Sequence, residues 1–263
     1  MQAGIFDYIA LGAPLRENPM NQTSEPLTSP LTVLVEFEIR HDTTTMTQWL
    51  DVWGERGLDA LTDEPETTAY EAAQSEEHER QVLIFERYAR GQSSIDTHQQ
   101  RPAHSRLQET MGARNMTKRR VMTSLFADID HYGWWSRPER TEALRAGGLR
   151  LTVIVTRFPD EATKARYIKL TGDHAKYCWD NEPDTLIYAG GLAIRDTDRG
   201  PAIRQGDLLF IAAFADDAAA IKHRDDPVHV ALQPKLAELN RERILLQTYR
   251  TSGKGYLWAG DTR

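Results

Sequence analysis

Two histidine pairs give the first chemical signal in this 263-residue sequence. His98-x-x-x-Pro102-x-His104 and His223-x-x-x-Pro227-x-His229 repeat one pattern at an offset of 125 residues. An unperturbed imidazole titrates near neutral pH, so it can act as a base, a proton carrier or a metal ligand. On an unbroken helix of 3.6 residues per turn, side chains six residues apart point about 240° from each other. A continuous helix would therefore keep each pair from sharing an ion, and no Cys or carboxylate cluster accompanies them at ligand spacing. The expectation is that no metal binds. His98 and His223 remain as catalytic candidates, read either as a base or as hydrogen-bonding groups at the edge of a pocket.

Other residue types carry weaker signals. His174 and Cys178 are four apart, so a helix would put them on one face, where a Cys–His nucleophile is conceivable. Glu36 and Glu38 share one face of a strand-like run, and a buried carboxylate pair could act as a base. Trp49 and Trp53 lie on an apolar helical stripe, and Tyr177 and Trp179 end a second one. Such aromatics fill a core or line a pocket for a flat substrate.

The bulk numbers bound these readings. A hydrophobic fraction of 40% and a charged fraction of 27% fit a folded globular chain with a sizeable core. The net charge of -7 argues against nucleic acid. The basic run Lys118-Arg119-Arg120 is read as a solvated loop. The single cysteine, Cys178, permits no intrachain disulfide and fits a reducing compartment. The N-terminus shows no basic stretch followed by an apolar one, and the longest apolar run, Leu208 to Ala215, is too short to span a membrane. A cytoplasmic protein with no membrane partner is expected.

The positioning elements follow from an internal repeat. Leu31-Thr-Val-Leu-Val35 matches Leu151-Thr-Val-Ile-Val155 at an offset of 120, and Glu64-Pro-Glu-Thr67 matches Glu182-Pro-Asp-Thr185 at 118. Tyr70 and Tyr188 follow at equal spacing. Gly133-Trp-Trp135 resembles Gly255-Tyr-Leu-Trp258. The offset jumps between Tyr188 and the histidine motif, which places an insertion at Arg195–Pro201. In each copy alternating apolar residues mark a strand, and a three-and-four pattern then marks a helix. The strands of the first copy are expected near 67–73, 81–88 and 121–129, after the opening strand, with a single second helix from Ser93 or Ser94. Those of the second copy are expected near 151–158, 185–194, 207–214 and 243–251, with helices near 160–180 and 216–240.

The order is β-α-β-β-α-β in both copies. Such a sheet leaves one face uncovered, and that face must be buried. The predicted fold class is therefore α+β, with two ferredoxin-like units packed sheet to sheet as an intrachain dimeric α+β barrel. The expected organisation is an extension at 1–30, a first copy at 31–135, a linker at 136–148 and a second copy at 149–263. A monomer with this internal pseudo-dimer, or a homodimer of it, is expected.

Glu64-Pro-Glu-Thr-Thr-Ala-Tyr70, Leu83-Ile-Phe-Glu-Arg-Tyr88, Asn181-Glu-Pro-Asp-Thr-Leu-Ile-Tyr188 and the two histidine motifs resemble the antibiotic-biosynthesis-monooxygenase family. This is a branch of the dimeric α+β barrels. The resemblance covers roughly 31–135 and 149–258, and the second copy also resembles the YciI-like barrels through Asp207-Leu-Leu-Phe-Ile-Ala-Ala-Phe214. It implies a tailoring enzyme of natural-product biosynthesis that oxidises an aromatic or polyketide-type molecule with O₂ and without metal, haem or flavin. The substrate itself would be the reductant once deprotonated. The residues expected to touch substrate are Trp49, Trp53, Tyr88, Tyr177 and Trp179. Anthrone-oxidising members carry an Asn and a Trp four apart on the third strand. These positions fall on Ile84 and Tyr88, and on Phe210 and Phe214, so neither copy keeps the Asn. A cofactor-free isomerase, cyclase or dehydratase and a non-catalytic ligand-binding barrel are the alternative readings. The pocket is expected between helix and sheet, because the face shared by the two copies must be filled.

Overall fold

The computed structural model describes residues 27–260. The proposed extension lies outside the described residues up to position 26. The first half runs β1 (Leu31–Ile39), α1 (Met46–Asp63), β2 (Thr67–Ser75), β3 (Gln81–Tyr88), α2 (Gln92–Gln100), α3 (Pro102–Ala113) and β4 (Thr117–Trp134). The second half repeats it as β5 (Arg150–Arg157), α4 (Glu161–Asn181), β6 (Thr185–Ala193), β7 (Leu208–Phe214), α5 (Asp217–Asp225), α6 (Pro227–Ala237) and β8 (Glu242–Thr251). Among the described residues no helix is long and apolar enough to cross a membrane.

The eight strands close into one barrel in the order β1-β3-β2-β8-β5-β7-β6-β4. Each half supplies the order β4-β1-β3-β2 or its equivalent, and the halves join edge to edge through β2 with β8 and β4 with β6. Closure removes the open edges that two separate four-stranded sheets would expose. Side chains from both halves fill the interior, among them Leu34, Phe85, Phe126, Val153, Ile211 and Tyr249. Glu36 is buried there and accepts the Tyr249 hydroxyl at 3.0 Å. Burial raises its carboxyl to about 7 despite that hydrogen bond. Glu38, two residues on, reaches the rim and pairs with Lys118 and Arg119.

The repeated glycine motif joins the halves. Gly133 sits at φ +67°, and a Cβ there would collide with the Tyr188 carbonyl of the other half. Gly255 packs in the same way against the Tyr70 carbonyl. Each half thus lays its last segment on the second strand of the other, an approach that only glycine permits.

Three expectations change. β4 begins at Thr117, so Lys118-Arg119-Arg120 lies within a strand and not in a loop. Its partner Glu38 on β1 explains why charge is tolerated there. The second helix of each half is broken in two. Pro102 and Pro227 start α3 and α6, and the residues before them, Arg101 and Asp226, are extended (ψ 138° and 132°). Proline clashes with a helical residue before it, which enforces the break.

The third change is a slip of register. Val35 pairs with Ile84 in the first half, and Ile154 pairs with Phe210 in the second. With Ile84 equivalent to Phe210, the first strands align at an offset of 119 and not the 120 that the matching letters suggest. One residue reverses inside and outside. Val33 and Val35 therefore face the helices, whereas Val153 and Val155 face the barrel interior.

Residues 136–148 form two short 3₁₀ turns, at Pro138–Arg140 and Ala143–Arg145. Arg137 is buried and donates to the carbonyls of Thr185, Trp179, Cys178 and Glu182, which caps the end of α4.

Candidate functional site

The second half assembles a cluster of titratable groups from three helices. α4 is started by the Asp160 carboxylate, which accepts from Thr163 N at 2.7 Å. Its C-terminal turns place His174, Cys178 and Glu182 at successive four-residue steps, on one face of the helix. α5 contributes His223, and the break at Asp226–Pro227 folds α6 back so that His229 comes to lie against it. The His223 and His229 rings are 4.5 Å apart between centroids. The six-residue spacing that should have separated them brings them together, because the helix is not continuous.

Hydrogen bonds fix the cluster. His223 Nδ1 donates to Glu182 Oε2 at 2.7 Å, and the same oxygen accepts from Thr185 Oγ1 at 2.8 Å. This bond sets the tautomer and leaves Nε2 as the His223 nitrogen not engaged by Glu182. His229 Nδ1 lies 3.2 Å from His174 Nε2, and Gln233 Nε2 lies 2.7 Å from His229 Nε2. Cys178 Sγ is 3.4 Å from His174 Nε2. Burial alone would raise Glu182, but its hydrogen bonds, first that from His223 and then that from Thr185, outweigh it and hold the carboxyl at about 2. Burial, then His223 and His174, push His229 down to about 4, and burial with His223 lowers His174. Both are neutral imidazoles at pH 7. Burial pushes the Cys178 thiol up, so it stays protonated.

A cavity of about 530 Å³ opens beside this cluster, between α5, α6 and the outer face of β5, β7 and β8. Phe210, Phe214 and Ile154 form its apolar floor, His223, His229 and Gln233 edge it, and Arg150, Arg224 and Arg243 lie at its margin.

The first half has the same frame with other contents. Glu64 accepts His98 Nδ1 at 2.7 Å and Thr67 Oγ1 at 2.8 Å, as Glu182 accepts His223 and Thr185. His104 folds back on His98 at 5.2 Å between rings. Arg56 stands where His174 stands in the second half, at the 118-residue offset that relates Glu64 to Glu182, and donates to Glu64 Oε1 at 2.5 Å. Here too burial would raise Glu64, but His98 and Arg56 bring it to about 2.

The space beside this second constellation is filled. Val33, Val35 and Ile95 are fully buried, whereas their counterparts Thr152, Ile154 and Ala220 are partly exposed and line the cavity. Trp49 and Trp53 stack at 5.1 Å, Trp53 stacks on Tyr70 at 5.7 Å, and both indoles lie 6.0 Å from Phe37. The void they leave is about 10 Å³. A separate cavity of about 200 Å³ lies between α1 and α3, with Glu55, Arg56 and Arg106 in its lining and no imidazole.

The structure thus separates the residues singled out in the sequence. His223 borders the large cavity. His98 is buried against Glu64 and Arg56. Trp49 and Trp53 are core. Tyr88 is buried, donates to Glu86 at 2.8 Å and meets the His98 ring edge-on. Tyr177 donates to Asp226 at 3.0 Å and stacks on His174. Trp179 packs on Trp134 and Arg137 and lines another cavity, of about 550 Å³, with His131 and Lys176. His229, Glu182, His174, Phe210 and Phe214 complete the site. Their signal was present as repeated landmarks: Glu-Pro and His-x-x-x-Pro-x-His recur together because each Glu holds the His of its own copy.

The closed barrel of two ferredoxin-like halves, with ligand space between sheet and helices, defines a pseudo-dimeric α+β barrel. Residues 30–110, within the first half, match the family model for antibiotic biosynthesis monooxygenase. Solved structures share the whole architecture. A presumed monooxygenase from Lactobacillus acidophilus superposes with a TM-score of 0.66 at 12% identity, covering 88% of this chain and 97% of that one. Another from Fusobacterium nucleatum gives 0.62 at 13% identity, covering 87% and 96%. An anthrone oxidase-like protein gives 0.50 at 12% identity, covering 85% and 91%. At these identities the likeness is one of fold. No curated protein matches the chain.

Proposed function

We propose that the second half is the working half of a monooxygenase-type enzyme, which oxidises a flat, hydroxylated aromatic molecule with O₂. The observation that carries this reading is the cavity of about 530 Å³ beside the Glu182–His223 pair, whose counterpart beside Glu64–His98 is closed by Val33, Val35 and Ile95. Phe210 and Phe214 offer ring faces to a flat substrate, and the arginines at the margin favour its anion. Glu182 orients His223 with its Nε2 lone pair free to take a proton, and stabilises the imidazolium that results. The substrate carbanion or phenolate then passes electrons to O₂. For a ring methylene this converts CH₂ and O₂ into C=O and H₂O, with no other reductant. Arg56 and the stacked indoles give the first half a supporting role.

Oxygen uptake with a panel of anthrones, naphthols and hydroxyanthracenes tests the reading. His223→Asn should abolish uptake and His98→Asn should retain it. The reverse order would assign the chemistry to the first half, and tight binding without uptake would make the chain a binding protein.

A further inference from the structure

The three histidines of the second half have a property that proton transfer does not require. They come from three different helices, and one ring nitrogen of each of His174, His223 and His229 lies within 4.8 Å of the others. His174 Nε2 and His229 Nδ1 are 3.2 Å apart. Two imidazole nitrogens bound to one tetrahedral Zn²⁺ at 2.0–2.1 Å stand about 3.3 Å apart. Two of the three rear nitrogens are engaged as in metal sites, where a ligating His gives its other N–H to a carboxylate or amide, while His174 Nδ1 is buried without a partner. Glu182 takes His223 Nδ1, and Gln233 meets His229 Nε2. The first half repeats the Glu and both His but puts Arg56, a fixed cation, at the position of His174, and so excludes an ion there.

We propose that His174, His223 and His229 bind one divalent first-row transition ion of the Zn²⁺ type, with a coordination position left open toward the cavity. Three neutral nitrogen donors suit Zn²⁺, Co²⁺, Ni²⁺ and Cu²⁺. Cys178 stays outside the set as a buried thiol. The proposal goes beyond the oxygenase reading and does not rest on it. An ion would occupy His223 Nε2, so a loaded site and a site with a free base are alternative states of one cluster.

The test is titration of the chelator-treated full-length protein with Co²⁺, followed by its visible ligand-field bands, with Zn²⁺ as competitor. The expected result is one Co²⁺ per chain, displaced by Zn²⁺, without a thiolate charge-transfer band. His174→Asn, His223→Asn and His229→Asn should each weaken binding by about 100-fold or more, and Glu182→Gln by about 10–100-fold, the usual effect of an outer-shell partner. Cys178→Ala and His98→Asn should bind as the parent does. Folding of every variant is checked by circular dichroism, and His229, the least buried of the three, gives a variant that keeps its fold. Absence of a stoichiometric site, retention of binding in the His229 variant, or loss in the His98 variant would overturn the proposal. Oxygen uptake is not read in this experiment, so its outcome and that of the oxygenase test are independent.

Discussion

The two halves share a backbone plan and differ in what occupies the space between sheet and helices. The first half closes the space above its third strand with Val33, Val35 and Ile95 and neutralises Glu64 with Arg56. The second replaces that guanidinium with His174 and leaves a cavity above Phe210 and Phe214. The same Glu–His pair is therefore a buried ion-pair network in one half and the wall of a cavity in the other. Duplication lets one copy hold the fold while the other carries a less densely packed site.

The largest effects should come from the filled half. Trp49→Ala or Trp53→Ala removes a buried indole from a stacked pair, and each should cost about 3–5 kcal/mol in denaturant unfolding. Arg56→Ala removes one buried partner of Glu64, which keeps His98, Thr67 and Arg101, and should cost about 1–3 kcal/mol. His174→Arg puts the guanidinium of the first half into the second. It should keep the fold by circular dichroism, pair with Glu182 and abolish both oxygen uptake and Co²⁺ binding. A variant that keeps either activity would break the comparison.

Acid sharpens it more gently. His104 and His229 are lowered, to about 3 and about 4, chiefly by burial. Their folded pKa values lie below the unfolded value near 6.5, so their neutral forms support folding above that pH. This support fades as pH falls toward 4 and 3. Glu64 and Glu182 lie at about 2, so their contribution is present above the unfolded carboxylate range and lost as pH falls from there toward 2. Melting temperature should accordingly fall in two stages on acidification, and His229→Asn should blunt the first. The smallest effect concerns the barrel interior. Glu36 is raised to about 7, so its contribution is present below the unfolded value and fades as pH rises through 7. Glu36→Gln should flatten the melting temperature between pH 5 and pH 8, and an unchanged slope would contradict the assignment.

Much of the fold was legible in the residues. Alternation in Val33–Ile39, the three-and-four stripe of Met46–Trp53 and the four repeated landmarks define the strand and helix order, and the need to bury an open sheet face implies closure. The site was legible only in pieces. Leu31–Val35 and Leu151–Val155 match by letter, yet the strands pair one residue out of step, and only cross-strand partners reveal this. Pro102 and Pro227 were visible, but the angle at which each break folds the second imidazole back depends on packing against α1 and α4. Which half is open depends on Val33 against Thr152 and Ile95 against Ala220. Each of these exchanges is unremarkable in a sequence and decisive only when stacked over one cavity.

The central claim is that the space beside the Glu–His pair is open in the second half and closed in the first, and refilling that space tests it most directly. Ala220→Ile restores the residue that closes the first half. Calorimetric titration with 1,8-dihydroxyanthrone should show one site per chain in the parent, no binding in Ala220→Ile and unchanged binding in Ile95→Val. Undiminished binding in Ala220→Ile, or binding lost in Ile95→Val while the fold is intact, would contradict the account.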